Sequence, residues 1–499
     1  MIIRFYNLGK IKETTLDLRP LTVIIGPNNS NKTYIAYSLY GLWQAEQDKV
    51  TPLDDIVERA FHSVEDNTLR IPVDQILQER LQTHSDQMCE RFAKSLASYY
   101  QDSTSKLFSD SRFHLAISLD DVLDMLPRLS GQKLYIIGGQ IQASAEGNVI
   151  KIKYSRSSGP SNLDAEAKDA ARIGVDLPLG MRVMVSYVIQ NLLFPEPFLL
   201  PAERNSFVLT YKLLTSRRYQ ILRDSSRDTV EKNVTAQRRM DLLARELNNY
   251  YPQPVEDFLD FLVDMDNATQ ALPRINVFTK LADTIENTIQ GGNKTRLQST
   301  ALGRRLITQV RKGLDIDLHN ASSSIKQLAP LLLYLRYRAR ENDLLIIDEP
   351  EMNLHPESQA KLLEVLAMLV NHGVNVLLTT HSPYLMAHLN NLAQADDTSQ
   401  AVRNRQAKSL YLKNPDSLLR MDQVSAYEMR DNQLHSLKDP DYGIRWDTLS
   451  DVSADLQQKY FAIYEEGHAK ERARNGRKTT AAKAKDRQPT GGQAGEDQP

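Results

Sequence analysis

The chain has 499 residues, 41% hydrophobic and 25% charged, the proportions of an ordinary globular protein with room for roughly two or three domains. Its formal net charge of −2 excludes a global electrostatic drive toward nucleic acid or membrane, so any such contact has to come from a local patch. A single cysteine, Cys89, excludes an intrachain disulfide framework and a multi-cysteine metal site; with no signal-peptide pattern at the start of the sequence, a cytoplasmic protein is expected.

Residues 1 to 25 alternate as short strands, with polar breaks at Asn7-Leu8-Gly9 and Arg19-Pro20. A loop, residues 26 to 33, leads into a helical pattern from Tyr34 to Gln47. Helical spacing of charged and apolar residues runs on from about 51 to 128. Period-two alternation with Gly-Gly and Glu-Gly-Asn turns then predicts a small β unit near 133–155. The stretch "LPLGMRVMVSYVIQNLLF" reads as a helix, and "PEPFLLPAERNSF" as a buried strand ending in polar residues. Residues 207 to 248 read as helical, rich in Arg and Lys over 212–239, without the sustained heptads of a coiled coil. "QGGNKTRLQST" marks a turn region. The longest apolar run, Leu328 to Leu335, is far too short to span a bilayer. Beyond residue 400 a finishing hairpin and helix are expected, and 465–499 reads as a disordered tail without apolar anchors.

Three stretches carry chemistry. "IIGPNNSNKT" puts Gly26, Pro27, Asn28, Asn29, Ser30, Asn31, Lys32 and Thr33 between an apolar strand and a helix, the order of a phosphate-binding loop. Asn31 stands where the pattern has its second glycine. Asparagine is the residue that next best tolerates the left-handed backbone, so the loop can still turn its N–H groups toward phosphates. A loop that binds nucleotide but hydrolyses it poorly is the alternative.

"LLIIDEP" is a short buried strand ending in Asp348 and Glu349, at the carboxyl end where ligands of open α/β sheets bind. Adjacent strand residues point opposite ways, so the two carboxylates divide the work. Asp348 joins Thr33 around magnesium, and Glu349 orients or deprotonates the attacking water. "VNVLLTTHSPYL" is the third stretch. A lone histidine is more often structural, but His381 ends the strand after the carboxylate pair, which favours contact with a γ-phosphate or with the water–glutamate pair.

In "LRPLTVIIGPNNSNKT", "LLPAERNSF", "NASSSIKQLAPLLLYLR", "LLIIDEPEMNLHPE" and "VNVLLTTHSPYLM" the chain resembles the ABC-type ATPases of the SMC/RecF kind, and among them the OLD-type ATPases of bacterial anti-phage systems such as PARIS and Septu. The resemblance implies an α/β fold: an ABC-type P-loop ATPase head interrupted by a large, mainly helical insertion with a small β unit. Its divisions would be 1–50 for the first part of the head, 51–298 for the insertion, 299–464 for the second part and 465–499 for the tail. ATP and Mg2+ are the implied ligands. The resemblance makes Ser322, Ser323 and Ser324 a signature motif closing on nucleotide held by another head, with glycine usual where Ser324 stands; a serine run before a helix is also an N-cap. It makes Glu203 and Arg204 a nucleotide-sensing loop, against the plain reading of a surface ion pair.

Expected partners are a second copy, as a head-to-head dimer or higher homo-oligomer, and a separate effector of the Toprim nuclease class. A phage-encoded trigger and nucleic acid along 212–239 are further candidates; no membrane contact is expected. The rivals are a RecF-like DNA repair ATPase and a nucleotide-bound scaffold with little hydrolysis. "DPD" at 439–441 carries a central proline and reads as a turn rather than a nuclease metal site.

Overall fold

The structure, a computed structural model, describes residues 1–47, 56, 68–129, 132–136, 139–156, 186, 188–189, 194–214, 251–267, 276–300, 303–393, 399–439, 441–445 and 455–464. The chain divides into two units, Met1–Ile444 and Arg445–Pro499. Most of 212–239, most of the helix read between 177 and 194, and the whole tail 465–499 lie outside the described residues. In the second unit, residues 455–464 are helical.

The first unit opens with β1 (Ile2–Leu8) and β2 (Ile11–Asp17), which form a hairpin, and β3 (Leu21–Ile25), buried along its whole length. The loop after β3 leads into α1 (Lys32–Gln47). Next come β4 (Thr68–Pro72), the long α2 (Gln75–Tyr99) and β5 (Arg112–Ala116). They are followed by β6 (Gln132–Ile136), β7 (Gly139–Glu146), β8 (Val149–Arg156) and β9 (Pro197–Leu200). The second half begins with α3 (Gln253–Asn267) and α4 (Val277–Thr288), then β10 (Lys294–Thr300), β11 (Gly303–Arg311) and β12 (Leu314–Asp317). It continues through α5 (Ser323–Leu333), β13 (Leu344–Asp348), α6 (Pro356–Asn371) and β14 (Asn375–Thr380). α7 (Pro383–Leu392), β15 (Val424–Arg430) and β16 (Gln433–Ser436) complete the elements that matter for the site.

The fold is α/β, as expected. Its central sheet runs β16-β15-β3-β14-β13-β9; β15, β3, β14, β13 and β9 are parallel and β16 is antiparallel at one edge. β3, β13 and β14 have no exposed residue, which explains their unbroken apolar runs: strands covered on both faces need no polar alternation. α1 packs along β14, β13 and β9, and its Trp43 is wholly buried, edge-on to Phe194. Register brings three strand ends level. Ile25 pairs with Thr380 and Asp348 with Thr379, so the chain leaves β3, β14 and β13 side by side.

The small β unit expected near 133–155 is a four-stranded antiparallel sheet, β4-β8-β7-β6. The reading of 51–128 as helical holds for α2 but not for β4 or β5, five-residue strands in which buried and less buried positions alternate. The stretch 290–300, read only as a turn region, instead holds β10, which with β11 and β12 forms a third antiparallel sheet. Two strands from the expected insertion are built into other sheets of this unit: β5 pairs with β1, and β9 is the edge of the central sheet beside β13. The finishing hairpin is β15–β16. At "DPD" the Asp439 carboxylate accepts from the N–H groups of Asp441 and Tyr442, as a turn requires.

Candidate nucleotide site

The loop after β3 bends where its residue types permit. Asn29 and Asn31 have φ of 59° and 69°, in the left-handed region. The Asn31 side chain donates from Nδ2 to Asn432 Oδ1 (3.3 Å), tying the loop to the turn between β15 and β16. Gly26 is needed for close approach: a β-carbon there would stand 2.8 Å from the Met429 carbonyl oxygen on β15.

Lys32 opens α1 with its ammonium turned back into the loop. It donates to the carbonyls of Gly26 (3.0 Å) and Pro27 (2.9 Å) and to Ser30 Oγ (3.3 Å), and lies 3.1 Å from His381 Nε2. Only 5% of Lys32 is exposed. Burial lowers its pKa, opposed by the charges of Asp348, Glu349 and Glu351.

Thr33 donates to Asp348 Oδ2 (3.2 Å), and Thr379 holds the other carboxylate oxygen. Burial raises the Asp348 carboxyl to about 6, helped by neighbouring Glu349, although hydrogen bonds from Thr379 and Thr33 pull the other way. A hydroxyl beside a carboxylate suits a hard divalent cation such as Mg2+, whose charge would favour the ionised acid. No group of three or more His, Cys, Asp or Glu side chains placed to hold a metal ion is found among the described residues. Glu349 has a φ of 51°, and its side chain is one-third exposed, with Oε1 3.3 Å from His381 Nε2. Lys32, Thr33, Asp348, Glu349 and His381 thus converge where β3, β13 and β14 end.

Arg204 is no surface ion pair. It is 2% exposed, while Glu203 beside it is exposed. Its Nη1 donates to the carbonyls of Pro201 (2.9 Å) and Asp348 (2.7 Å), and its Nη2 to that of Glu349 (3.0 Å). Nε donates to the Gln327 carbonyl (3.3 Å), and the Gln327 amide, with its oxygen toward the guanidinium, accepts from Nη2 at 2.7 Å. Burial lowers Arg204 to about 10, still a cation at neutral pH. Ser322 is the N-cap of α5, accepting from Ile325 N–H (3.4 Å) and sharing a hydrogen bond with Ser324 (3.0 Å); Ser323 and Ser324 form the first turn. All three belong to the helix that Arg204 grips through Gln327.

Several participants escaped the sequence reading. Glu351 accepts from His381 N–H (2.6 Å) and Thr380 Oγ1 (2.8 Å). Thr379, Gln327 and Asn432 were missed as well. A third carboxylate inside "DEPE" was the one available signal, but Pro350 ends the strand before it and leaves its direction undefined.

Residues 208–386 match the protein family described as "AAA ATPase domain". The chain carries an ATPase domain, and its enzymatic class is ATP hydrolase. The matched stretch is just over a third of the chain; it includes Ser322–Ser324, Asp348, Glu349 and His381, while the loop at 26–33 precedes it. No curated protein matches the sequence. Among solved structures, the chain is similar to an SMC head bound to the C-winged helix domain of ScpA, at 10% identity, covering 87% of this chain and 96% of that one with a TM-score of 0.33. It is also similar to an SMC head with an extended coiled coil bound to the C-terminal domain of ScpA, from Pyrococcus furiosus (8% identity, 91% and 98% covered, TM-score 0.30). A third is the SMC head from Thermotoga maritima (11% identity, 87% and 97% covered, TM-score 0.27). No helix among the described residues is long and apolar enough to cross a membrane.

Proposed function

We propose that this chain binds and hydrolyses MgATP as an ABC/SMC-like ATPase, closing head to head with a second copy and serving as the sensor or scaffold of an anti-phage system that controls a separate effector. The convergence of Lys32, Thr33, Asp348, Glu349 and His381 at three adjacent strand ends carries the ATPase part. In this reading the N–H groups of residues 28–33, at the start of α1, cradle the phosphates. Lys32 exchanges its loop carbonyls for phosphate oxygens. Thr33 and Asp348 would hold magnesium, which would supply positive charge against the phosphates. Glu349 takes a proton from water as its oxygen bonds to the γ-phosphorus, and the bond to the bridging oxygen breaks to release ADP and phosphate. His381, between Lys32 and Glu349, stabilises the charge that develops there. Ser322–Ser324 would face the γ-phosphate of the partner's nucleotide.

The defence role rests on the motif resemblance, with the 51–298 insertion as the docking region for a Toprim-class nuclease. Phosphate release by the purified chain, compared with Glu349→Gln, tests the ATPase reading. Phage plating on cells carrying the chain with its neighbouring open reading frame tests the defence reading: Glu349→Gln should abolish protection, and full protection without turnover would favour a nucleotide-bound scaffold.

A further inference from the structure

His381 is gripped through its backbone as well as its ring. The amide of His381 donates to Glu351 Oε1 at 2.6 Å, a short charge-assisted bond. The same oxygen accepts from Thr380 Oγ1 at 2.8 Å, and Thr380 Oγ1 in turn accepts from Ser382 N–H at 3.0 Å. One carboxylate oxygen thereby organises three successive residues, 380 to 382, where β14 ends and α7 begins. Ser382 caps α7 through Leu385 N–H (3.2 Å), so the same network also fixes the start of that helix.

Glu351 sits two residues beyond Glu349, in the turn that follows β13. Its other oxygen, Oε2, is buried and has no hydrogen-bond partner among the described residues. A buried carboxylate oxygen without a donor is costly, so packing alone does not account for a glutamate here. The cost is intelligible when the residue's task is to hold something else in place.

We infer that Glu351 is the positioning residue for His381, locking the strand end that carries the histidine to the turn that carries Glu349, so that the two move as one body. Glu351 touches no reacting atom; it acts through His381. This rests on the ATPase reading above, and it adds that the distance between His381 and Glu349 is set by a third side chain. Removing that brace lets residues 380–382 drift, and a misplacement of about 1 Å at a reacting group costs on the order of 100-fold in rate.

The test uses the full chain with Glu351→Ala, Glu351→Gln, Thr380→Val and Glu349→Gln, read by steady-state phosphate release and by amide hydrogen exchange over residues 380–382. Glu351→Ala should lower kcat by about 10- to 100-fold with KM within about 3-fold of wild type, and should speed exchange at the His381 amide. Glu351→Gln keeps an oxygen where Oε1 stands and should restore most of both. Should Glu351→Ala fail to fold, Thr380→Val decides, with faster exchange at Ser382 and a several-fold lower kcat. A Glu351→Ala protein with wild-type kcat, or with unchanged protection at His381, overturns the inference. No phosphate release by the wild-type chain would sink the ATPase reading instead, and the exchange measurement would still decide the role of Glu351.

Discussion

The Lys32 ammonium stands 3.1 Å from His381 Nε2, and that same nitrogen lies 3.3 Å from Glu349 Oε1. One ring nitrogen cannot accept from the lysine and donate to the glutamate at once. Neutral at Nε2, the ring accepts from Lys32; protonated there, it donates to Glu349. Lys32, proposed to hold phosphate, and Glu349, proposed to act on water, are therefore joined through a single imidazole.

Glu349→Gln should keep ATP affinity near wild type and lower turnover by about 100- to 10,000-fold, because the amide preserves shape but cannot take a proton. Lys32→Ala should instead weaken ATP binding by about 10- to 100-fold, the worth of a charge-assisted hydrogen bond to phosphate. Calorimetric titration with ATP and phosphate release separate the two effects. Equal turnover in wild type and Glu349→Gln would remove Glu349 from the mechanism.

Much of this site was legible because its parts are local. β3, β13 and β14 are short apolar runs that end abruptly in Gly26, Asp348-Glu349 and His381, and a buried parallel strand has little other way to look. Asn31 was legible from its type, since few residues sit comfortably at a φ of 69°. The hidden parts are non-local. Arg204 binds carbonyl oxygens of residues 348 and 349, and carbonyls carry no side-chain identity in a sequence. β10 was missed because its alternation is mostly polar against polar: Lys294, Arg296 and Gln298 are exposed, and of the residues between them only Leu297 is a large apolar one.

Asn31→Gly should fold and bind ATP, with turnover equal to wild type or higher. Glycine relieves a left-handed cost of about 1 kcal/mol and gives up one exposed hydrogen bond to Asn432. Asn31→Ala loses the bond without gaining the freedom and should be destabilised by about 1–2 kcal/mol in a denaturant titration. A large loss of ATP affinity in Asn31→Gly would mean that the Asn31 side chain itself contacts nucleotide.

Cys89 lies on the buried face of α2, 2% exposed, and burial pushes its thiol up to about 12. At pH 8 roughly one thiol in 10,000 is then ionised, so Ellman's reagent should react very slowly with the native chain and at once in denaturant. Because Ser85, on the same helix, donates to the Leu115 carbonyl of β5, labelling reports α2 parting from β5. Fast labelling of the native protein would show that this packing opens readily.

Arg204 offers the sharpest division between structure and signalling. Its guanidinium is buried and satisfies carbonyls from the Pro201 turn, from Asp348 and Glu349, and from Gln327 on α5. Arg204→Ala removes all of these donors and leaves a cavity, and should destabilise the chain by about 3–5 kcal/mol. Arg204→Lys keeps the charge but cannot present the planar fork that reaches several acceptors, so it should recover only a minor part of that loss. Gln327→Ala is the informative partner. It leaves the Asp348 and Glu349 carbonyls satisfied and loosens only the side-chain link to the helix bearing Ser322–Ser324, so its melting temperature should fall by only a few degrees. If Arg204 couples a head's own carboxylates to the serines it shows its partner, Gln327→Ala should bind ATP normally yet hydrolyse it more slowly and dimerise less with ATP, as read by light scattering. ATP-driven assembly and turnover at wild-type levels in Gln327→Ala would make Arg204 a structural brace and nothing more.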